Sequence, residues 1–241
     1  MKREPLNTGK YENVLGKCNL LNNLDPASYK ELLSLFHEEK WPKNSCVLNQ
    51  EKLNNNLFII LSGRVKMYQV DQQSGKEITL FLLISSDIFD LFCLLDGCEH
   101  QVFYECLDEV KVLAVSMPNL RKWLNKNPQQ YRNLLPYVGK QMRQLENYVS
   151  DIAFIDIPTR LIKLLIRNLK KDSDKLELIN DLSNKEIAKL IGSTGAVVNR
   201  HLQKLKKKGI IEVSRKHVEI KNLPLLLRFI KLQKSESPRE K

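Results

Sequence analysis

The 241 residues carry 39 Lys and Arg against 28 Asp and Glu, a formal net charge of +11, with 42% hydrophobic and 7% aromatic residues. That is ample chain for two domains with cores of their own, in an ordinary globular composition. No apolar run reaches the about 18 residues that span a bilayer. The opening MKREPLNTGKYEN is too polar for a signal peptide, and five irregularly spaced Cys do not make a disulfide framework, so a cytoplasmic chain with no membrane partner is expected.

Residues 26–40 are predicted to form a short helix with Leu32, Leu33 and Phe36 on one side. From about 41 to 117 the signal is β. The runs Cys46-Val47-Leu48, Leu57 to Leu61, Val65 to Val70, Ile78 to Leu83, Val102 to Cys106 and Val110 to Val115 are separated by Asn54-Asn55-Asn56, Ser62-Gly63, Gln73-Ser74-Gly75-Lys76 and Asp96-Gly97. Many short strands at this spacing predict a barrel, a jelly roll or a sandwich.

After Pro128 the period changes. Tyr131, Leu135, Val138, Met142, Leu145, Val149 and Ile152 follow one another at intervals of 4 and 3, a heptad seam that predicts a long helix paired with a second copy of itself. The alternative is a helix packed only on its own β domain. Asp156-Ile157-Pro158 breaks the seam, because proline disfavours the α conformation in the residue before it, and 154–158 is read as a hinge. Thr159 to Leu169 is a further amphipathic helix.

Residues 183–221 are the most informative. Ser183 and Glu186 form an S-x-x-E capping box ahead of Ile187, Ala188, Leu190 and Ile191. Gly192 allows a sharp turn, and Ser193 or Thr194 caps the next helix. That helix keeps Val197, Val198, Leu202 and Leu205 for packing and places Asn199, Arg200, Gln203, Lys204 and Lys206 to Lys208 on other faces; Gly209 stops it. Two β-prone runs, Ile210 to Val213 and His217 to Ile220, are joined by Ser214-Arg215-Lys216. This is the pattern of a winged helix-turn-helix, whose second helix enters the major groove of double-stranded DNA. Charge agrees: residues 156–241 hold 21 basic and 10 acidic residues, a net of +11, and residues 1–155 hold 18 of each. A basic module on a neutral one suits a polyanion reader.

The stretches LFIILSGRVKMYQVDQQSGKE at 57–77, SSDIFDL at 85–91, IAFIDIPTRL at 152–161 and LSNKEIAKLIGSTGAVVNRHLQKLKKKGII at 182–211 resemble, in that order, the Crp-Fnr family of bacterial transcription regulators. The resemblance implies an α+β fold: an N-terminal double-stranded β-helix (a jelly roll or β-roll) within 1–127, a dimerisation helix at 128–155 and a winged helix-turn-helix at 156–241. It implies a homodimer, a DNA partner and contact with RNA polymerase. On this reading the dimer interface is Leu135, Val138, Met142, Leu145, Val149 and Ile152, and the DNA-binding set is Ser193, Thr194, Gly195, Asn199, Arg200 and Lys204.

The family's S-R-E-x-x-x-R pattern falls on Thr194, Gly195, Ala196 and Arg200. Arg200 keeps the group that can bond both acceptors of a guanine edge, whereas Gly195 and Ala196 have no side chain to read a base, so a half-site other than the family's usual one is expected. The family's nucleotide binders use a Gly-Glu-Leu turn and an Arg-Ser pair. The matching places here are Asp90-Leu91-Phe92 and His100-Gln101, and Leu145-Glu146 replaces a Thr-Ser pair on the long helix. An effector other than cyclic AMP, or none, is expected in a pocket around Asp90, Leu91, His100, Gln101 and Leu145.

No cofactor is expected. Haem ligation by His100, an iron–sulfur cluster and a redox role for Cys93, Cys98 or Cys106 stay open as alternatives, against small apolar core cysteines. No P-loop, G-x-S-x-G or paired-His metal motif is present, so an enzyme is not expected. The competing reading is an interaction protein whose winged domain contacts a protein partner.

Overall fold

The computed structural model describes residues 11–46, 50–89, 91–170, 175–214 and 217–235. They divide into two compact units, one made of the described residues up to Gly75 together with Leu80–Leu145, the other of Lys76–Thr79 with Glu146 onward. The class is α+β, with N-terminal sheets, a long helix and a C-terminal helix-turn-helix. No helix among the described residues is long and apolar enough to cross a membrane.

The first unit rests on two strands, β2 (Asn56–Ser62) and β7 (Val110–Ser116), that are apolar on both faces. With β1 (His37–Trp41) and β5 (Ile88–Phe89) they form an antiparallel sheet in the order β1-β7-β2-β5. A second sheet has the order β4-β3-β6, from β3 (Val65–Val70), β4 (Glu77–Leu83) and β6 (Phe103–Cys106). Side chains alternate in direction along a strand, so the unbroken apolar run at 57–61 supplies two cores. Leu57, Ile59 and Leu61 pack with helices outside the sheet; Phe58 and Ile60 belong to the other core, between the sheets. β7 divides in the same way, Leu113 and Val115 outward, Val110, Val112 and Ala114 inward. Helices α1 (Glu12–Leu15), α2 (Pro26–Ser34), α5 (Met117–Lys126) and α6 (Tyr131–Phe154) cover the outer face through Leu15, Leu32, Leu120, Trp123, Leu134 and Tyr137. The β2–β3 turn requires Gly63: its φ is +86°, and a Cβ there would stand 2.6 Å from the Glu109 carbonyl oxygen.

Strands β2, β3, β4, β6 and β7 lie within a residue of the expected runs from 57 onward, and the short β5 falls in none of them. Three expectations change. The helix foreseen at 26–40 stops at Ser34, and His37–Trp41 is strand β1, held by pairing with β7 from His37↔Ala114 to Trp41↔Val110. Its polar HEEKW has little strand signal of its own, so tertiary pairing decides it. Asn54 and Asn55 end a short helix, α3 (Gln50–Asn55), instead of forming a turn, and Asn56 opens β2. Of the strand expected at 46–48, Cys46 is in no strand, and Val47 and Leu48 lie outside the described residues. Helix α4 (Leu91–Asp96) was not foreseen.

The second unit contains α7 (Ile157–Arg167), α8 (Asn184–Leu190), α9 (Gly195–Lys207), the hairpin β8 (Ile211–Ser214) and β9 (His217–Ile220), and an unforeseen helix α10 (Leu223–Ser235). Its core joins Leu161, Ile162, Leu165, Ile187, Ala188, Val198, Leu202, Leu205, Ile220 and Leu226. Asp156 caps α7, its carboxylate accepting from Thr159 N at 3.0 Å, which is why the chain turns at Asp156-Ile157-Pro158. Asp151, near the end of α6, holds α7 through Lys163 at 2.6 Å and Arg167 at 3.2 Å.

Within the first unit, Tyr137 clasps α6 to β5. Its hydroxyl accepts from Ile88 N at 3.1 Å and from Gln141 Nε2 at 3.1 Å, and donates to Ile88 O at 3.0 Å. Beside it, Asp87 Oδ2 accepts from Ile84 N at 2.9 Å. Burial pushes the Asp87 carboxyl above its ordinary value, against the opposing pull of the Ile84 amide and Lys140. The folded chain thus keeps this proton to higher pH than the unfolded chain does. The resulting stabilisation is complete below the unfolded pKa and is lost as pH rises through the folded one. Asp87→Asn retains an acceptor for Ile84 N and should flatten that dependence. Urea unfolding at about pH 4 and about pH 7 measures it; an unchanged slope would show that Asp87 is not its source.

Candidate nucleic-acid interface

The helix-turn-helix is built from caps inward. Ser183 Oγ accepts from Glu186 N at 3.2 Å and starts α8, while Glu186 Oε1 accepts from Lys189 Nζ at 2.8 Å. Ile187 and Ala188 turn that helix to the core. The turn depends on Gly192, whose φ is +62° and where a Cβ would lie 2.7 Å from Ile152 Cδ1. Ser193 N donates to Ala188 O at 2.9 Å, and Thr194 Oγ1 caps α9 by accepting from Val197 N at 3.4 Å. At the first helical position, Gly195 lies beside α8, where a Cβ would stand in ordinary contact at 3.4 Å from Lys185 N.

Val198, Leu202 and Leu205 bury one face of α9, and Val197 and His201 are half-buried at its border. The opposite face holds Ala196, Asn199, Arg200, Gln203 and Lys207, all exposed and spaced as one helical stripe. Asn199 Oδ1 accepts from Asn184 Nδ2 at 3.3 Å, which steadies it. Lys206 Nζ reaches Val213 O at 3.1 Å and fixes the end of α9 to the hairpin. Burial, then Arg200 and Lys204, push the His201 pKa down. The hairpin pairs from Ile211↔Ile220 to Ser214↔His217, and its Arg215 and Lys216 lie outside the described residues.

The residues expected to read DNA are thus only partly grouped. Asn199 and Arg200 share the open stripe; Thr194 is exposed at its start with its hydroxyl engaged in the cap. Ser193 is half-buried, and its Oγ is buried without a hydrogen-bond partner. Lys204 is exposed but sits on the flank toward α7 and α10. Gln203 was left out of the expected set, although counting three and four from Arg200 and Asn199 places it between them.

The heptad seam divides into two strips. Tyr131 and Val138 pack on the core outside the sheet, and Leu145 packs on the core between the sheets. Ile152 lies against the turn at Gly192. Leu135, Met142 and Val149 are 62%, 55% and 63% exposed, and Phe154 is 85% exposed. Val138, Leu145 and Ile152 therefore have partners within their own chain, and the open strip is Leu135-Met142-Val149.

Inside the β-roll, Trp41, Phe58, Phe89 and Tyr104 follow in series with ring centroids 5.0–5.1 Å apart, Trp41 edge-on to Phe58, Phe58 stacked on Phe89 and Phe89 tilted against Tyr104. The cavity left beside them is about 10 Å³, room for roughly one water. Leu91 and His100 line it, with Phe92 set edge-on to His100 at 5.5 Å. Gln101 is exposed and Leu145 is not among the lining residues, so both leave the expected pocket; Asp90 lies outside the described residues. The buried Lys66 is engaged with Glu105 at 2.5 Å. Cys93 and Cys106 are buried and Cys98 is exposed; burial pushes the Cys106 thiol up and the Cys18 thiol to about 12. Among the described residues no three His, Cys, Asp or Glu converge as a metal site needs.

Two family models match the chain: a cyclic nucleotide-binding domain over residues 38–127 and a Crp-like helix-turn-helix domain over 159–229. The chain belongs to the Crp-Fnr family. It is 24% identical over 221 residues to the CRP-like cAMP-activated global transcriptional regulator of Mycobacterium tuberculosis, covering 90% of this chain and 98% of that protein. A CooA mutant from Carboxydothermus hydrogenoformans superposes with a TM-score of 0.69 at 27% identity, over 86% of this chain and 93% of the other. A putative transcriptional regulator of the Crp-Fnr family from Eubacterium rectale shares the fold with a TM-score of 0.72 at 17% identity, over 90% and 99%.

As a Crp-Fnr protein the chain is a transcription regulator with a DNA-binding helix-turn-helix, and not an enzyme. The family model implies a cyclic nucleotide in the β-roll, but the described residues do not fit one: the cavity admits about a water, its lining carries no Lys or Arg among the described residues, and four aromatic rings occupy the interior. The turn at Gly192 gives a stability test. Gly192→Ala forces a side chain into the left-handed region and against Ile152, so it should destabilise the winged unit by about 1–2 kcal/mol in denaturant unfolding.

Proposed function

We propose that this Crp-Fnr regulator is a cytoplasmic homodimer that binds specific double-stranded DNA through α9, answers to an effector other than cyclic AMP or to none, and meets RNA polymerase as its family resemblance implies. The single observation that carries the reading is the open stripe of α9, in which Asn199, Arg200 and Gln203 stand together on a helix locked by its buried face. Each can pair bidentately with a base edge, Arg with guanine and Asn or Gln with adenine. The side-chain-poor start at Gly195-Ala196 moves the reading toward the middle of the helix, which favours an operator unlike the family's usual one.

Dimerisation is supported by the open strip of α6. Three apolar side chains a heptad apart in solvent, each worth about 1.5–3 kcal/mol when fully buried, match a self-pairing seam. Two copies would then present two α9 helices to two half-sites. Arg200→Ala should lower affinity for a selected operator by about 1–3 kcal/mol and relax its sequence preference, with dimer mass unchanged. Anisotropy titrations over a salt series check it: affinity should fall steeply as salt rises through counterion release, and a salt-insensitive complex would point to a protein partner. Met142→Glu should give a folded monomer in light scattering, and a persistent dimer would reject this seam.

A further inference from the structure

The second unit has a groove on the flank of α9, beside the open stripe. Leu161 and Ile162 of α7, Leu205 of α9 and Phe229 of α10 form its apolar floor. Lys204, Lys208 and His201 stand on its rim, and among the described residues no carboxylate lines it. Lys208 Nζ lies over the Phe229 ring at 4.4 Å, so one wall is itself amphipathic. The volume is about 240 Å³, some twenty-fold more than the space left in the β-roll and just under the range of about 300–1,000 Å³ typical of drug-sized ligands.

An apolar floor rewards a hydrocarbon or aromatic tail through burial, and two lysine point charges reward a single anionic head without demanding the planar fork that an arginine site would. Burial, then Arg200 and Lys204, hold His201 below its ordinary pKa, which disfavours its charged form, and the rim's cations are the two lysines. We propose that this groove binds a small amphipathic carboxylate, with its tail on Leu161, Ile162, Leu205 and Phe229 and its head met by Lys204 and Lys208. Because His201, Lys204, Leu205 and Lys208 adjoin or belong to α9, such a ligand draws Lys204 away from DNA phosphate. Ligand and DNA then oppose each other, and the coupling is reciprocal. That coupling rests on the DNA-binding reading; the site itself does not.

The test uses the full chain with specifically labelled methyl groups and octanoate below its micelle threshold. Octanoate should shift the Leu161, Ile162 and Leu205 methyl resonances saturably, acetate and 1-octanol should bind far more weakly, and Lys208→Glu should weaken octanoate about tenfold. Phe229→Ala is the second variant and should weaken octanoate through the floor. Absence of saturable shifts, or wild-type affinity in both variants, would overturn the site. Anisotropy with DNA, measured separately, should show a severalfold loss of affinity in saturating octanoate; an unchanged value would overturn the coupling. The methyl shifts are read without DNA, so a chain that binds octanoate but no DNA would tell the two readings apart.

Discussion

Helix α6 has to satisfy two apolar demands with one stretch of sequence. Leu134, Tyr137 and Gln141 are buried against the first unit, Val138 and Leu145 lean on its two cores, and the Tyr137 hydroxyl is committed to both backbone groups of Ile88. That fixes the rotation of the helix about its axis. Once the rotation is fixed, Leu135, Met142 and Val149 have nowhere to go but solvent. An exposed apolar strip of this kind is what the proposed self-pairing rests on. The same helix carries Asp151, which holds α7, and Ile152, which lies at the turn before α9.

The DNA-facing surface follows from packing in the same way. Val198, Leu202 and Leu205 bury one side of α9, so geometry alone selects which polar side chains face outward. Gly195, at the start of α9, has no side chain to offer a base. The proposed reading cluster is in the middle of the helix, where Asn184 steadies Asn199 beside the exposed Arg200.

The β-roll keeps the family's frame and fills it. Strands β2 and β7 are apolar on both faces, and the inward side chains include large rings that stack at contact distance. Such a core is dense, and opening it for a ligand would forfeit packing on several sides at once. The larger space lies instead beside α9.

Much of this was legible in the residues. The period-4-and-3 apolar spacing marked α6, unbroken apolar runs marked β2 and β7, and Ser183, Gly192 and Thr194 marked the helix-turn-helix, because caps, turns and periodicity are local. What stayed hidden depended on contacts distant in sequence. The strand at His37–Trp41 exists through β7, the Ser193 hydroxyl is buried, and Gln203 joins the stripe only once the buried face of α9 is known. The heptad seam is the plainest case. The sequence by itself determined that seven apolar residues recur along one helix; only the tertiary structure decided which of them are spent on the chain's own cores and which remain for a partner, because that choice is made by how the helix is rotated against Ile88 and not by its spacing.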